Sequence, residues 1–416
     1  MNRCYWVNCV AVLISVSACI DNTVHFGKDI DGTPTLGDDG PWGIAVVGTD
    51  YLSSSVSVLD RMERELFFEG VVDSGSSPPG LSTALSGDVA LPRAFNSNNW
   101  LVLLDRYPNS VLTLLDPHDF AVSVQLSVAT GFAANPHDFV WVGQRKAYVT
   151  RYETNPSPGR EPFDAGDDVL IVDPLAGRIT GRISMATYVD ATPHSLQARP
   201  DQMTVAKGIV WITLNHLDAG FHNGGQGLVI GVDPATDEVR QVVAIPEVRN
   251  CSGIVYVARR DALYVSCSGL FAAGLDEQLR QSALVAIDLG SQSPSATIFA
   301  YGTEGVARPF GFELDVARER WLLVVRYGDM AADIPDRLVA IDIITGTETI
   351  VHLATSISGL GGLLADDATD SVYVGDAAAL APRVHLYEVA DGQFGFLSVI
   401  DAHPRVGLPP RHIRFY

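Results

Sequence analysis

Residues 136–185 read PHDFVWVGQRKAYVTRYETNPSPGREPFDAGDDVLIVDPLAGRITGRISM. The apolar run PHDFVWVG is followed by the turn QRK and a second run, AYVTRY. A polar segment extends to Asp168, and then come VLIVDP, the turn LAGR and ITGRISM. Each run is rich in β-branched and aromatic residues and bounded by turn formers, the signature of a strand. Four such strands in about 50 residues make one blade of a β-propeller.

The unit recurs along the chain. An apolar run ending in an acidic residue and a turn appears at Asp60, Asp116, Asp173, Asp233, Asp288, Asp342 and Glu388, at intervals of 56, 57, 60, 55, 54 and 46 residues. Repeats of roughly this length indicate propellers, solenoids or arrays. The four-strand pattern surrounds these markers, as in DQMTVA, IVWITL, GLVIGVDP and VRQVVAI. The first set has only three strands, GIAVVG, VSVLDR and LFFEGVV, whereas the C-terminal RHIRFY has no blade of its own. The expected fold is all-β: a single, roughly seven-bladed propeller of four-stranded blades spanning 41–416. Arg411–Tyr416 would complete the first blade and close the ring, which removes exposed sheet edges.

With 47% hydrophobic and 19% charged residues in 416, the chain can bury a large core. Its 28 Lys+Arg against 49 Asp+Glu give a net charge of −21. Such a surface repels phosphate backbones, and no basic run offers a nucleic-acid footprint, so nucleic acid is excluded as a partner.

The N-terminus, MNRCYWVNCVAVLISVSAC, places one Arg before an apolar stretch and then small residues. That is the order of a secretory signal, with a stretch too short to span a bilayer. Val16-Ser17-Ala18-Cys19 resembles the bacterial lipobox. The resemblance implies cleavage before Cys19, a diacylglycerol thioether on Cys19 and an acylated new amino terminus. A cleaved signal with an incidental Cys is the alternative. Ile20, rather than Asp, follows the Cys, a pattern resembling outer-membrane sorting in Gram-negative bacteria. The expected organisation is therefore a signal peptide (1–18), a polar, Gly-rich tether (19–40) and the propeller (41–416), with the membrane as a partner through the lipid anchor.

Ala147-Tyr148-Val149-Thr150, followed by the VxxVDPxxGxV-like pair beginning at Val169, resembles the YVTN-type seven-bladed propeller family. The resemblance covers most of 42–416. It implies the ring fold, and that family includes surface and periplasmic proteins. Similar rings occur in lactonase-like and quinone-dependent enzymes. The interval here is longer than the family's, which assigns the extra residues to loops.

Long connections (Arg151–Asp168, Asn215–Gly227 and Ser268–Ser282) should emerge on one face, where innermost strands begin and second strands end. Loops carried on a rigid scaffold are where binding concentrates. The candidate ligand-pocket residues on that face are His137, Asp138, Arg151, Tyr152, Asp201, His216, Arg326, Tyr327 and His412. Arg supplies forks for carboxylate or phosphate, and His with Asp supplies proton transfer or metal ligation. His137, His216 and His412 are the metal candidates, although no HxH or HxxxH spacing supports them. No GxSxG marks a nucleophile, and no cofactor motif is present. Cys251 opens an innermost strand and Cys267 closes its neighbour. A disulfide would form in an oxidising compartment, and two buried thiols are the alternative.

The expected function is a cell-envelope lipoprotein whose propeller is a non-enzymatic module, binding or scaffolding a protein, peptide or envelope polymer. A channel-mouth enzyme, lactonase-like or metal-dependent, is the alternative, and a structural part of an envelope assembly is the second.

Overall fold

The computed structural model describes residues 41–416, apart from 96–99, 191, 193, 292, 304–306, 330, 357–358 and 379–380. The expected signal segment (1–18), Cys19 and the expected tether (19–40) lie outside the described residues. Seven four-stranded antiparallel sheets form the blades of a propeller. In the first blade the C-terminal strand Pro410–Phe415 is innermost, followed outward by Ile44–Thr49, Ser54–Asp60 and Glu65–Asp73. The pairs Ile44↔Phe415 and Val46↔Ile413 close the ring. The other blades run outward in chain order, their innermost strands being Val89–Ala90, Pro136–Gly143, Pro200–Ala206, Cys251–Val257, Phe310–Ala317 and Leu360–Asp366.

The burial pattern follows from this packing. All six residues of Ile44–Thr49 are buried, because the middle strands lie between neighbouring blades. The outermost Glu238–Ile245 instead alternates exposed and covered residues, with one face towards water. The core is divided among inter-blade clusters, such as Val229, Val243, Leu263 and Val265 between the fourth and fifth blades. Each fully buried aliphatic side chain there contributes about 1.5–3 kcal/mol.

The repeated acidic residue is a turn device. Asp60, Asp116, Asp173, Asp233, Asp288 and Asp342 each accept a backbone N–H from two or three residues ahead with Oδ1, at 2.8–3.1 Å. This Asx turn fixes the hairpin to the blade's outermost strand. Glu388 departs from the pattern. It lies within Arg383–Ala390, and the turn falls later, at Asp391–Gly392, with φ of 49° and 77°. A two-residue Asp-Gly turn serves that hairpin instead.

Two local expectations change. DVALPRA reads as a full strand, but only Val89–Ala90 pair, because Pro92 lacks a ladder donor and the Arg93 N–H goes to Asp138 Oδ1 (2.8 Å). Within Ser268–Ser282, the segment Leu275–Gln281 is a helix, with Asp276 and Glu277 in its first turn and Arg280 in its last.

Candidate functional site

One backbone hydrogen bond repeats in every blade and sets the mouth of the channel. A residue at or near the end of the second strand donates its N–H to the residue just before the innermost strand, at 2.7–3.1 Å. The donors are Thr49, Arg106, Tyr152, Asn215, Ser268, Tyr327 and Ala377. They therefore occupy one structural position around the ring. Five innermost strands also carry a register shift in their first few residues. A bulge lets two consecutive residues face the same side. Accordingly His137 and Asp138, like Asp201 and Gln202, line one cavity of about 320 Å³ at the mouth.

Six of the nine expected pocket residues line that cavity: His137, Asp138, Tyr152, Asp201, Tyr327 and His412. The other three do not, and each is a correction. Arg151 is wholly buried inside its blade, where Nε and Nη2 reach the two oxygens of Asp168 at 2.8 Å each. Arg326 is likewise turned into its blade, onto Glu348 (2.5 Å) and the Arg308 carbonyl (2.8 Å). Side chains alternate along a strand, so Tyr152 and Tyr327 face the mouth only because the preceding arginines do not. His216 is buried under its own loop, with Nδ1 3.1 Å from the Gln226 carbonyl oxygen. The metal candidates His137, His216 and His412 therefore do not converge.

Sequence reasoning undervalued Arg93, Arg106, Glu313 and Arg414, all of which line the cavity. Matching the dipeptides Arg106-Tyr107 and Arg151-Tyr152 aligns the wrong residues, because the repeated hydrogen bond makes Arg106 the equivalent of Tyr152. Arg414 was legible, since alternation puts it on the face of His412. Glu313 faces inward through the register shift between Phe310 and Leu314, which no sequence pattern announces.

His137 is rigidly held. Its Nδ1 lies 2.8 Å from Asp201 Oδ1, and the carboxylate can only accept, so Nδ1 carries the proton. The imidazole stacks on Tyr152 at 4.0 Å and 10°, and Arg199 sits 4.8 Å from Tyr152 and 4.5 Å from Phe221 on the far side. Burial raises Asp201, but the His137 charge and hydrogen bond outweigh it and hold the carboxyl below its usual range. Burial pushes Asp138 up to about 6, against three backbone N–H donors. His412 is driven well below the usual imidazole value, by burial first and then by Arg106, Arg414 and Arg411.

Deeper in the channel, Arg414 Nη2 meets Glu313 at 2.9 Å and Arg93 Nη1 lies 3.7 Å from the same carboxylate. These side chains, from the first, second and sixth blades, form one ion-paired group. A smaller cavity of about 210 Å³ is also lined by Arg93 and Arg414. The mouth cavity shares Arg93 and Arg414 with the smaller one. Its walls differ: Arg106, Arg411, His137 and Asp201 on one side, and Phe312 and Tyr327, 5.9 Å apart, on the other. A disulfide joins Cys251 to Cys267 at the start of the fifth blade.

No protein-family model and no curated protein matches the chain. Solved structures share its fold. A Lactobacillus plantarum protein superposes with a TM-score of 0.61 at 10% identity, over 90% of this chain and 99% of that one. A candidate 6-phosphogluconolactonase of Bacteroides fragilis gives 0.59 at 9% identity, over 91% and 98%. The periplasmic gluconolactonase of Pseudomonas aeruginosa gives 0.57 at 14% identity, over 90% and 98%. At these identities the likeness is one of fold.

Proposed function

We propose that the protein is a binding module of the bacterial cell envelope, tethered through a lipid on Cys19, whose channel mouth receives a compact acidic ligand. The ligand class is a carboxylate-bearing sugar or peptide end, free or as part of an envelope polymer. One observation carries this reading: four arginines, Arg93, Arg106, Arg411 and Arg414, line one cavity against three carboxylates, Asp138, Asp201 and Glu313, in a chain of net charge −21. Guanidinium forks recognise carboxylates. The aromatic wall of Phe312 and Tyr327 offers an apolar face to the same ligand, and a cup of about 320 Å³ suits one sugar or two amino-acid residues. The export signal, the lipobox and the Cys251–Cys267 disulfide support an oxidising, extracytoplasmic setting.

The test is a calorimetric screen of gluconate, oligogalacturonate and a dipeptide against the purified protein. Saturable binding, weakened at least tenfold in Arg411→Ala, is expected. No binding tighter than about 1 mM by any of them removes this reading.

The His137–Asp201 pair favours a second reading, hydrolysis of an ester or lactone. In its neutral form, with Nδ1 protonated and held by Asp201, His137 can take a proton from water at Nε2, and the arginines would stabilise the resulting oxyanion. Turnover of gluconolactone above the spontaneous rate, lost in His137→Ala with Arg411→Ala still folded, would select it.

A further inference from the structure

A second cluster of ligating side chains lies away from the mouth, at the junction of the sixth and seventh blades. His352 is on the outermost strand of the sixth blade, Glu348–Leu353. Asp376 ends the second strand of the seventh blade and His385 lies on the third strand of that blade. His352 Nε2 is 3.1 Å from Asp376 Oδ2, His385 Nε2 is 4.0 Å from the same oxygen, and all three ligand atoms lie within 4.8 Å of one another. The imidazole rings are 4.5 Å apart and tilted by 43°. Among the described residues this is the one group of three His, Cys, Asp or Glu side chains so disposed.

We propose that His352, Asp376 and His385 bind a divalent first-row transition ion, zinc by default, bridging the sixth and seventh blades. Two imidazoles and one carboxylate form a donor set for such ions rather than for calcium or magnesium. Tetrahedral bonds of about 2.0–2.2 Å put ligand atoms roughly 3.3 Å apart, so an ion needs only an ångström-scale approach of His385. His385 is also the most accessible of the three, at 19% side-chain exposure against 6% for His352 and 0% for Asp376. Three protein ligands leave a fourth position for water on the solvent side.

The supporting contacts are those a ligand set requires. Tyr387 Oη lies 2.7 Å from His352 Nδ1. With a metal on Nε2, Nδ1 carries the proton and donates to Tyr387, which fixes the ring. Thr355 donates both its backbone N–H and its hydroxyl to Asp376, at 3.1 Å each, which orients the carboxylate. The site owes nothing to the mouth: no member lines that cavity.

The test is titration of the chelator-stripped full protein with zinc alone, against a chromogenic competitor, followed by Co²⁺ substitution to read the ligand-field spectrum. One equivalent should bind, with a spectrum of nitrogen and oxygen donors. His385→Ala should weaken binding at least tenfold, and Tyr387→Phe by about tenfold. His137→Ala should leave it unchanged. If Asp376→Asn does not fold, the partly exposed His385 carries the test alone. Absence of stoichiometric zinc, or zinc that survives His385→Ala or departs with His137→Ala, overturns the proposal.

Discussion

The third residue of the innermost strand is Asp138 in the third blade and Gly362 in the seventh. The backbone around them is alike: a register shift follows each, and the same hydrogen bond ties each strand's entrance to its neighbour. At Asp138 the position carries a buried carboxylate that accepts the N–H groups of Arg93, Phe139 and Met203. At Gly362 the space is filled by the closing strand, and a Cβ there would stand 2.5 Å from Ile413 Cγ1 and 2.7 Å from its N. Gly361 and Gly375 are as tightly covered, by Arg411 and Pro410. One side of the ring supplies chemistry through side chains, and the other supplies room by lacking them. The room lets Pro410–Phe415 nest closely and aim Arg411, His412 and Arg414 into the channel.

The most damaging way to probe that difference is to fill the space. Gly362→Ala should cost about 3 kcal/mol, because the obstacle is partly backbone and cannot rotate away. Denaturant unfolding would show it as a lower midpoint at unchanged slope.

Acid probes the same seam. Burial brings His403 down to about 4, against Glu69 and Asp401, and its Nδ1 lies 3.0 Å from Ser57 Oγ. A folded value below the unfolded one, about 6.5, means the stability is whole above pH 6.5 and lost as pH falls towards 4. The size is on the order of 3 kcal/mol. Asp138 runs the other way, since its folded value of about 6 lies above the unfolded one. Its contribution is whole below about 3.9 and lost as pH rises through about 6. The readout is therefore wild type against His403→Gln, whose stabilities should converge as pH drops from 7 to 4.

On the chemical side, Arg106→Ala should weaken an acidic ligand by ~10–100-fold, as for loss of a charged hydrogen bond. It should barely alter stability, because its pair with Asp88 is partly exposed, at 22% and 23%. The ligand should also bind roughly fivefold tighter at pH 5 than at pH 7. Protonating Asp138 through about 6 removes one negative charge from the cup, worth about 1 kcal/mol. Tyr327→Phe should have the smallest effect, less than threefold, since among the described residues its hydroxyl accepts just the Phe312 N–H (3.1 Å).

The ring was legible in the sequence because its cause is local. Each Asp at the end of an apolar run turns the chain within three residues, and six such turns, with Glu388 as the seventh marker, count the blades. The unpaired RHIRFY likewise had only one vacancy to fill. The site was half legible. His137, Asp201 and His412 follow from where innermost strands begin. Arg151 and Arg326 were misplaced because the side chain that faces the mouth depends on register, and a one-residue shift reverses it. The His352–Asp376–His385 cluster spans two blades, and its members meet only through inter-blade packing.

The central claim is that the mouth reads a negative charge. The direct measurement is a pair of calorimetric titrations at pH 6.5, galacturonate beside galactose, which differ only in the carboxylate. The account predicts one saturable site for the acid and at least tenfold weaker binding of the neutral sugar, with the gap closed in Arg106→Ala. Equal affinities for the two sugars, or a gap untouched by that substitution, would contradict it.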